Sequence, residues 1–286
     1  MGETMTNTLK RWFSAIATMF ANPGALLVFA TIYALLLVAA YIFISIREAT
    51  IWQVLVTYAL MILIPIGFFT LQAAIINRAI DQKLRWRVIL VDALKFFVVC
   101  IPVLLLVWLL YFLLNKISAR YPAPVVEVVA TNQIELPPPT PPLHWPSLIF
   151  TTLRFVLWGV AFPLVTIHLW VAVAGGEFRT LFSNGAKAFF KRIASALARA
   201  FSPDSVLLYG LGLIVFFVLP YVLLVPTFTV NGNKREFAVF VLRLLLSFLF
   251  SLIGWVWTLT AFARTVPGLS NAVSPPPVAQ PTEAAA

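Results

Sequence analysis

Lys191-Arg-Ile-Ala-Ser-Ala-Leu-Ala-Arg-Ala-Phe-Ser-Pro203, with the apolar run from Val206 to Val225 behind it, is the stretch on which the fold turns. Phe190, Ile193, Leu197 and Phe201 recur at spacings of three and four. Lys187, Lys191, Ser195 and Arg199 fill another stripe, the pattern of a helix lying in the headgroup plane of a membrane. Ser202-Pro203 then breaks the periodicity: a serine accepts free helix amides, and a proline starts the next helix. The run that follows is long enough, at about 1.5 Å per residue, to cross a hydrocarbon core of roughly 30 Å. Interfacial helix, corner and span form one unit.

The unit recurs upstream. Ser14-Ala-Ile-Ala-Thr-Met-Phe20 aligns with Ser195-Ala-Leu-Ala-Arg-Ala-Phe201, and Asn22-Pro23 takes the place of Ser202-Pro203. The upstream helix carries Leu9, Trp12, Phe13, Ile16 and Phe20 on one face. A weaker third copy begins at Asp92-Ala-Leu94. Apolar periodicity places spans at Ala25 to Ile44, Ile51 to Ile76, Phe96 to Leu114, Leu148 to Val173, Val206 to Val225 and Phe237 to Phe262. The expected fold is all-α, a six-span transmembrane bundle with two or three interfacial amphipathic helices, an order that admits three helix-hairpin repeats sharing one membrane orientation. Residues 1–24 would be a cytoplasmic interfacial helix, 25–267 the membrane domain, and 268–286 a disordered cytoplasmic tail rich in proline.

Composition agrees. Of 286 residues 62% are hydrophobic and 10% charged, against roughly 25% charged in soluble domains. Long unbroken apolar runs also exclude a porin-like barrel of short alternating strands. The run after Lys10 and Arg11 is too long for a signal-peptide core and reads as a retained span. The net charge of +10 would suggest nucleic acid in a soluble protein. Here its distribution speaks for the membrane, and no nucleic-acid partner is expected. With the N-terminus inside, the inner segments hold thirteen basic residues, Lys10, Arg11, Arg78, Lys83, Arg85, Arg87, Lys95, Arg179, Lys187, Lys191, Arg192, Arg199 and Arg264. The outer segments hold five, Arg47, Lys116, Arg120, Lys234 and Arg235. That excess places both termini in the cytoplasm.

The outer segment 117–147 carries Pro122, Pro124, Pro137, Pro138, Pro139, Pro141, Pro142 and Pro146, so its second half should be extended and stiff. Val125 to Val129 has strand composition and Asn231-Gly232 is a hairpin signal, which together allow a small outer β-patch. Pro65, Pro102, Pro163 and Pro220 fall inside spans, where each frees a carbonyl that a neighbour must satisfy. Trp52, Trp86, Trp145, Trp170 and Trp257 read as interfacial anchors. The single cysteine, Cys100, reads as a buried structural thiol.

Catalytic constellations are missing from the sequence. It has two histidines, His144 and His168, no helical zinc pair and no phosphate-binding glycine loop. No enzyme activity, metal or cofactor is expected. Asp92, three residues before Lys95, reads as one half of a solvated pair. Arg154 and Arg243 stand about six residues inside the outer ends of their spans. They either snorkel to the headgroups or face inward and bind an anion such as a lipid phosphate. Gln72, His168 and Thr260 hold matching places in Thr70-Leu-Gln72, Thr166-Ile-His168 and Thr258-Leu-Thr260. In a threefold packing they would converge on the axis; otherwise they are interhelical hydrogen-bonding groups.

The run Lys191 to Pro203 with its glycine-containing span, Gly210 and Gly212, resembles the repeated unit of a broad group of bacterial multi-pass membrane proteins of unknown function. It is similar in layout to the membrane domain attached to some glycerophosphoryl diester phosphodiesterases. The resemblance implies a bacterial inner membrane and lipid contact, and it carries no catalytic residue, since the phosphodiesterase domain of that group has no counterpart here. The leading expectation is a non-enzymatic protein that binds or moves a lipid-like or anionic amphipathic molecule, with Arg154 and Arg243 on its headgroup. The rival is a membrane scaffold that recruits a protein partner through the proline-rich loop or the tail.

Overall fold

The computed structural model describes residues 2–47, 50–81, 83–122, 144–177, 185–225 and 233–264. Every regular element among them is helical. Six helices are long and apolar enough to cross a membrane: Pro23–Ser45, Ile51–Asp81, Trp86–Ser118, Trp145–Gly176, Pro203–Leu224 and Lys234–Ala263. The protein is thus an integral, multi-pass membrane protein with an all-α bundle. The shortest span, 22 residues, is about 33 Å long at 1.5 Å per residue, enough for the hydrocarbon core. The expected β-patch, most of the proline-rich loop 117–147 and the tail 268–286 lie outside the described residues.

In chain order the helices are α1 (Gly2–Phe20), α2 (Pro23–Ser45), α3 (Ile51–Asp81), α4 (Trp86–Ser118), α5 (Trp145–Val156), α6 (Phe162–Ala172), α7 (Gly185–Ala200), α8 (Pro203–Leu213), α9 (Leu219–Leu224) and α10 (Asn233–Ala263). A π turn, Leu157–Ala161, joins α5 to α6 in the fourth span. Another, Ile214–Val218, joins α8 to α9 in the fifth.

Both proline corners form with the same cap. Asn22 Oδ1 accepts from the Ala25 N–H at 3.2 Å, and Ser202 Oγ accepts from the Ser205 N–H at 3.3 Å. Burial repeats along the aligned helices before them: Ala15 and Ala196 are buried, as are Met19 and Ala200, whereas Phe20 and Phe201 are exposed. The apolar faces read from the sequence are therefore divided. In α1, Trp12 turns to the bundle with Ala15 and Met19 while Phe13 points away. In α7, Phe190 and Leu197 point away as well; the side chain of Ile193 is outside the described set.

The third copy departs from expectation. Asp92-Ala-Leu94 belongs to the first turns of α4, which runs unbroken from Trp86, ten residues before the expected span. No proline or capping residue separates Leu94 from Phe96, so nothing stops the helix. The threefold order persists in the packing. α1 lies on α10, the first turns of α4 lie on α3, and α7 lies on α6, so each unit leans on the second span of the unit before it. Leu71, Ile167 and Leu259, the middle residues of the three matching triplets, are 2%, 0% and 0% exposed.

The π turns Leu157–Ala161 and Ile214–Val218 each lie just before a proline, whereas a third, Val173–Glu177, has none and Pro65 and Pro102 sit in unbroken α-helix. Pro163 has no N–H to give the carbonyl four residues back, Gly159, and Pro220 has none for Phe216. Tyr209 Oη donates to Gly159 O at 2.7 Å, and Ser251 Oγ donates to Phe216 O at 3.0 Å. Each orphaned carbonyl is thus satisfied by a hydroxyl from a neighbouring span, as an apolar medium demands. The fifth and sixth spans also touch through glycine. A Cβ on Gly254 would stand 2.7 Å from the Phe216 backbone nitrogen, and one on Gly212 would stand 2.0 Å from Thr258 Oγ1.

Candidate functional site

Most of the bundle interior is aliphatic or aromatic, so its few buried polar groups stand out. Gln72 in α3 is 1% exposed, and its Oε1 accepts from Trp255 Nε1 of α10 at 2.7 Å. An indole nitrogen only donates, which fixes the amide oxygen toward Trp255 and leaves the Gln72 Nε2 donors at the other end. Among the described residues those donors have no hydrogen-bond partner. Gln72 and Trp255 line a cavity of about 400 Å³ between α2, α3 and the fifth and sixth spans, walled by Leu36, Ile64, Phe68 and Leu252 with Tyr33 and Ser251 at its edge. A second cavity of about 260 Å³ lies between α3, α4, α6 and α10. The two share Phe68 and Trp255. The larger one is a half-open apolar chamber with one amide, Gln72, in its wall.

His168 and Thr260, which hold the places of Gln72 in the other two triplets, line neither cavity, whereas Thr166 lines the smaller one. His168 Nε2 lies 3.1 Å from Ser205 Oγ, and its ring meets the Phe262 ring edge-on. Ser202 Oγ, the cap of α8, donates to Ser205 Oγ at 2.9 Å, so the histidine ties the fourth span to the α7–α8 corner. Thr260 Oγ1 donates to the Val256 carbonyl of its own helix at 2.7 Å. Gln72, His168 and Thr260 thus hold equivalent positions and serve three different partners.

The arginines share a different arrangement. Arg154 Nη2 donates to Ser118 Oγ at 2.7 Å, on the last residue of α4, and its Nε is buried without a partner among the described residues. Arg243 Nε donates to the Leu223 carbonyl in the last turn of α9. Each guanidinium therefore sits against the C-terminal end of the preceding span of its own hairpin, where free carbonyls and the helix dipole attract a cation. Neither arginine lines either cavity.

Two expectations are corrected here. Asp92 does pair with Lys95, Nζ to Oδ1 at 2.6 Å, yet its side chain is only 5% exposed and Asn77 Nδ2 donates to its other oxygen at 3.0 Å. The pair is a buried clasp between α3 and α4 because the helix continues through Asp92 instead of ending beside it. Trp170 is buried, stacked on Phe96 at 5.7 Å, and Trp257 stacks on Trp12 at 3.6 Å and donates to the Trp12 carbonyl at 2.6 Å. Trp52, Trp86 and Trp145 remain exposed at helix ends. Trp255 was not singled out in the sequence; its place nine residues before Arg264, too deep for an interface, was the available signal.

Among the described residues no group of three His, Cys, Asp or Glu is placed to hold a metal. No family model matches the chain, and neither a curated protein nor a solved structure matches it.

Proposed function

We propose that the protein holds an amphipathic, lipid-like molecule in the chamber around Trp255, its apolar part against Phe68, Leu36 and Leu252 and an acceptor oxygen on Gln72 Nε2. The observation that carries this reading is Gln72 itself: a 1% exposed amide with free donors on the wall of an otherwise apolar cavity. An unpaired buried amide is costly in hydrocarbon, and a ligand carbonyl, ester or hydroxyl removes that cost. The cavity volume falls within the roughly 300–1,000 Å³ of small-molecule sites. Arg154 and Arg243, on this reading, hold helix ends in place of a headgroup. The excess of basic residues supports placing the α1 and α7 end of the bundle on the cytoplasmic side, and the layout of the repeat supports a bacterial inner membrane.

Native mass spectrometry of the wild type beside Gln72→Leu tests the proposal. Retention of a specific lipid by the wild type and its loss from the variant is the expected result. Equal retention by both would remove the chamber as a binding site and turn attention to the scaffold reading, for which the outward faces of α1 and α7 are the available surfaces.

A further inference from the structure

A separate apolar groove of about 500 Å³ runs between α3 and α4, lined by Ile62, Pro65, Ile66, Leu90, Leu94 and Phe97 among others. Its α4 residues are themselves open: Leu90 is 54% exposed and Leu94 65%. Following the α4 stripe toward its N-terminus leads from Leu94 and Leu90 to Arg87 one turn further, with Trp86 beside it. Arg87 is exposed, as are Lys83 and Arg85 in the segment just before the helix. Lys95, by contrast, is engaged with Asp92. The N-terminus of this 33-residue helix has no side-chain cap, unlike α2 and α8. The groove thus has a hydrocarbon-like body, and the three cations stand outside its lining, one turn or more beyond Leu90 at the N-terminal end of α4.

We propose that this groove is a site for one anionic glycerophospholipid, with an acyl chain along Leu90, Leu94 and Ile66 and its phosphate held by Arg87 with Lys83 and Arg85 at that end. Charge complementarity selects this occupant. A forked guanidinium suits a phosphate, whereas a two-fold contact with a second copy of the chain would bring the same three cations against themselves. The groove shares no lining residue with the cavity that holds Gln72.

The test is titration of the purified full chain in detergent with phosphatidylglycerol or phosphatidylcholine of identical chains, read by native mass spectrometry. Wild type should retain phosphatidylglycerol preferentially. Arg87→Gln should weaken phosphatidylglycerol about fivefold, the worth of one basic group near a membrane surface, and weaken phosphatidylcholine, whose choline cation offsets its phosphate, by less, so that the preference for phosphatidylglycerol shrinks. Leu94→Trp, which fills the groove at an exposed position, should weaken both. Gln72→Leu should alter neither, which separates failure here from failure of the chamber. Equal retention of the two lipids by wild type, or phosphatidylglycerol retention unmoved by Arg87→Gln and by Leu94→Trp, would overturn the proposal.

Discussion

Tyr209→Phe removes one oxygen, and that oxygen is the donor to Gly159 O at 2.7 Å. The carbonyl needs it only because Pro163 lacks an N–H. In the wild type the substitution leaves a backbone acceptor unpaired inside the bundle. Unsatisfied buried groups cost about 1–3 kcal/mol in proteins generally, and side-chain hydrogen bonds within membranes average about 0.6 with a maximum near 1.7. A loss of about 1 kcal/mol is therefore expected, or about 2 °C in Tm for a chain of this size. In a Pro163→Ala background residue 163 regains its amide, Gly159 O regains a backbone donor, and Tyr209→Phe should cost about nothing. The coupling energy across the double-mutant cycle is then about 1 kcal/mol. Thermal unfolding in detergent, followed by tryptophan fluorescence, measures all four corners. The fifth span supplies an internal replicate: Ser251→Ala should cost more beside Pro220 than beside Pro220→Ala, where only its contact with Tyr33 is lost. Equal costs in both backgrounds at both sites would refute the account of the two orphaned carbonyls.

Asp92→Ala should cost about 1–3 kcal/mol, because it removes the acceptor that joins Asn77 of α3 to Lys95 of α4, while Asp92→Asn should recover part of the loss; unfolding in increasing denaturant reads the difference. Gly254→Ala should cost about 1–3 kcal/mol by pushing its Cβ onto the Phe216 backbone, whereas Gly210→Ala, which meets nothing within 4 Å, should stay within about 0.5 kcal/mol of wild type in the same measurement. Trp12→Ala removes the stack on Trp257 and should release α1 from the bundle, seen as faster trypsin cleavage after Lys10 with the six spans intact.

The spans and corners were legible because they rest on local signals. Apolar length, the Asn22-Pro23 and Ser202-Pro203 caps and the basic flanks each act within a few residues, and the structure places helices and caps accordingly. The prolines were half legible: Pro163 and Pro220 declared that Gly159 and Phe216 would need donors, but no local pattern named Tyr209, fifty positions away, or Ser251. The candidate site was the least legible part. Gln72 was visible as a polar residue in a span, yet its partner Trp255 is 183 positions distant, and a tryptophan in a membrane helix looks like an anchor until its depth is known. Arg154 and Arg243 were conspicuous, but charge within a span advertises a partner without naming it, and no local pattern pointed to Ser118 or Leu223 at the end of the preceding span.

The Trp12–Trp257 stack joins the first helix to the last across 245 positions, and that separation sets a clock. At roughly 5–20 residues per second of synthesis, the dock for α1 emerges some 12–50 seconds after α1 itself. Throughout that interval Trp12, Ala15 and Met19 must be kept from water by something other than the bundle. A helix with an outward apolar edge at Phe13 and Phe20 can wait on the bilayer surface until the sixth span arrives, and the docking of α1 therefore follows the insertion of all six spans.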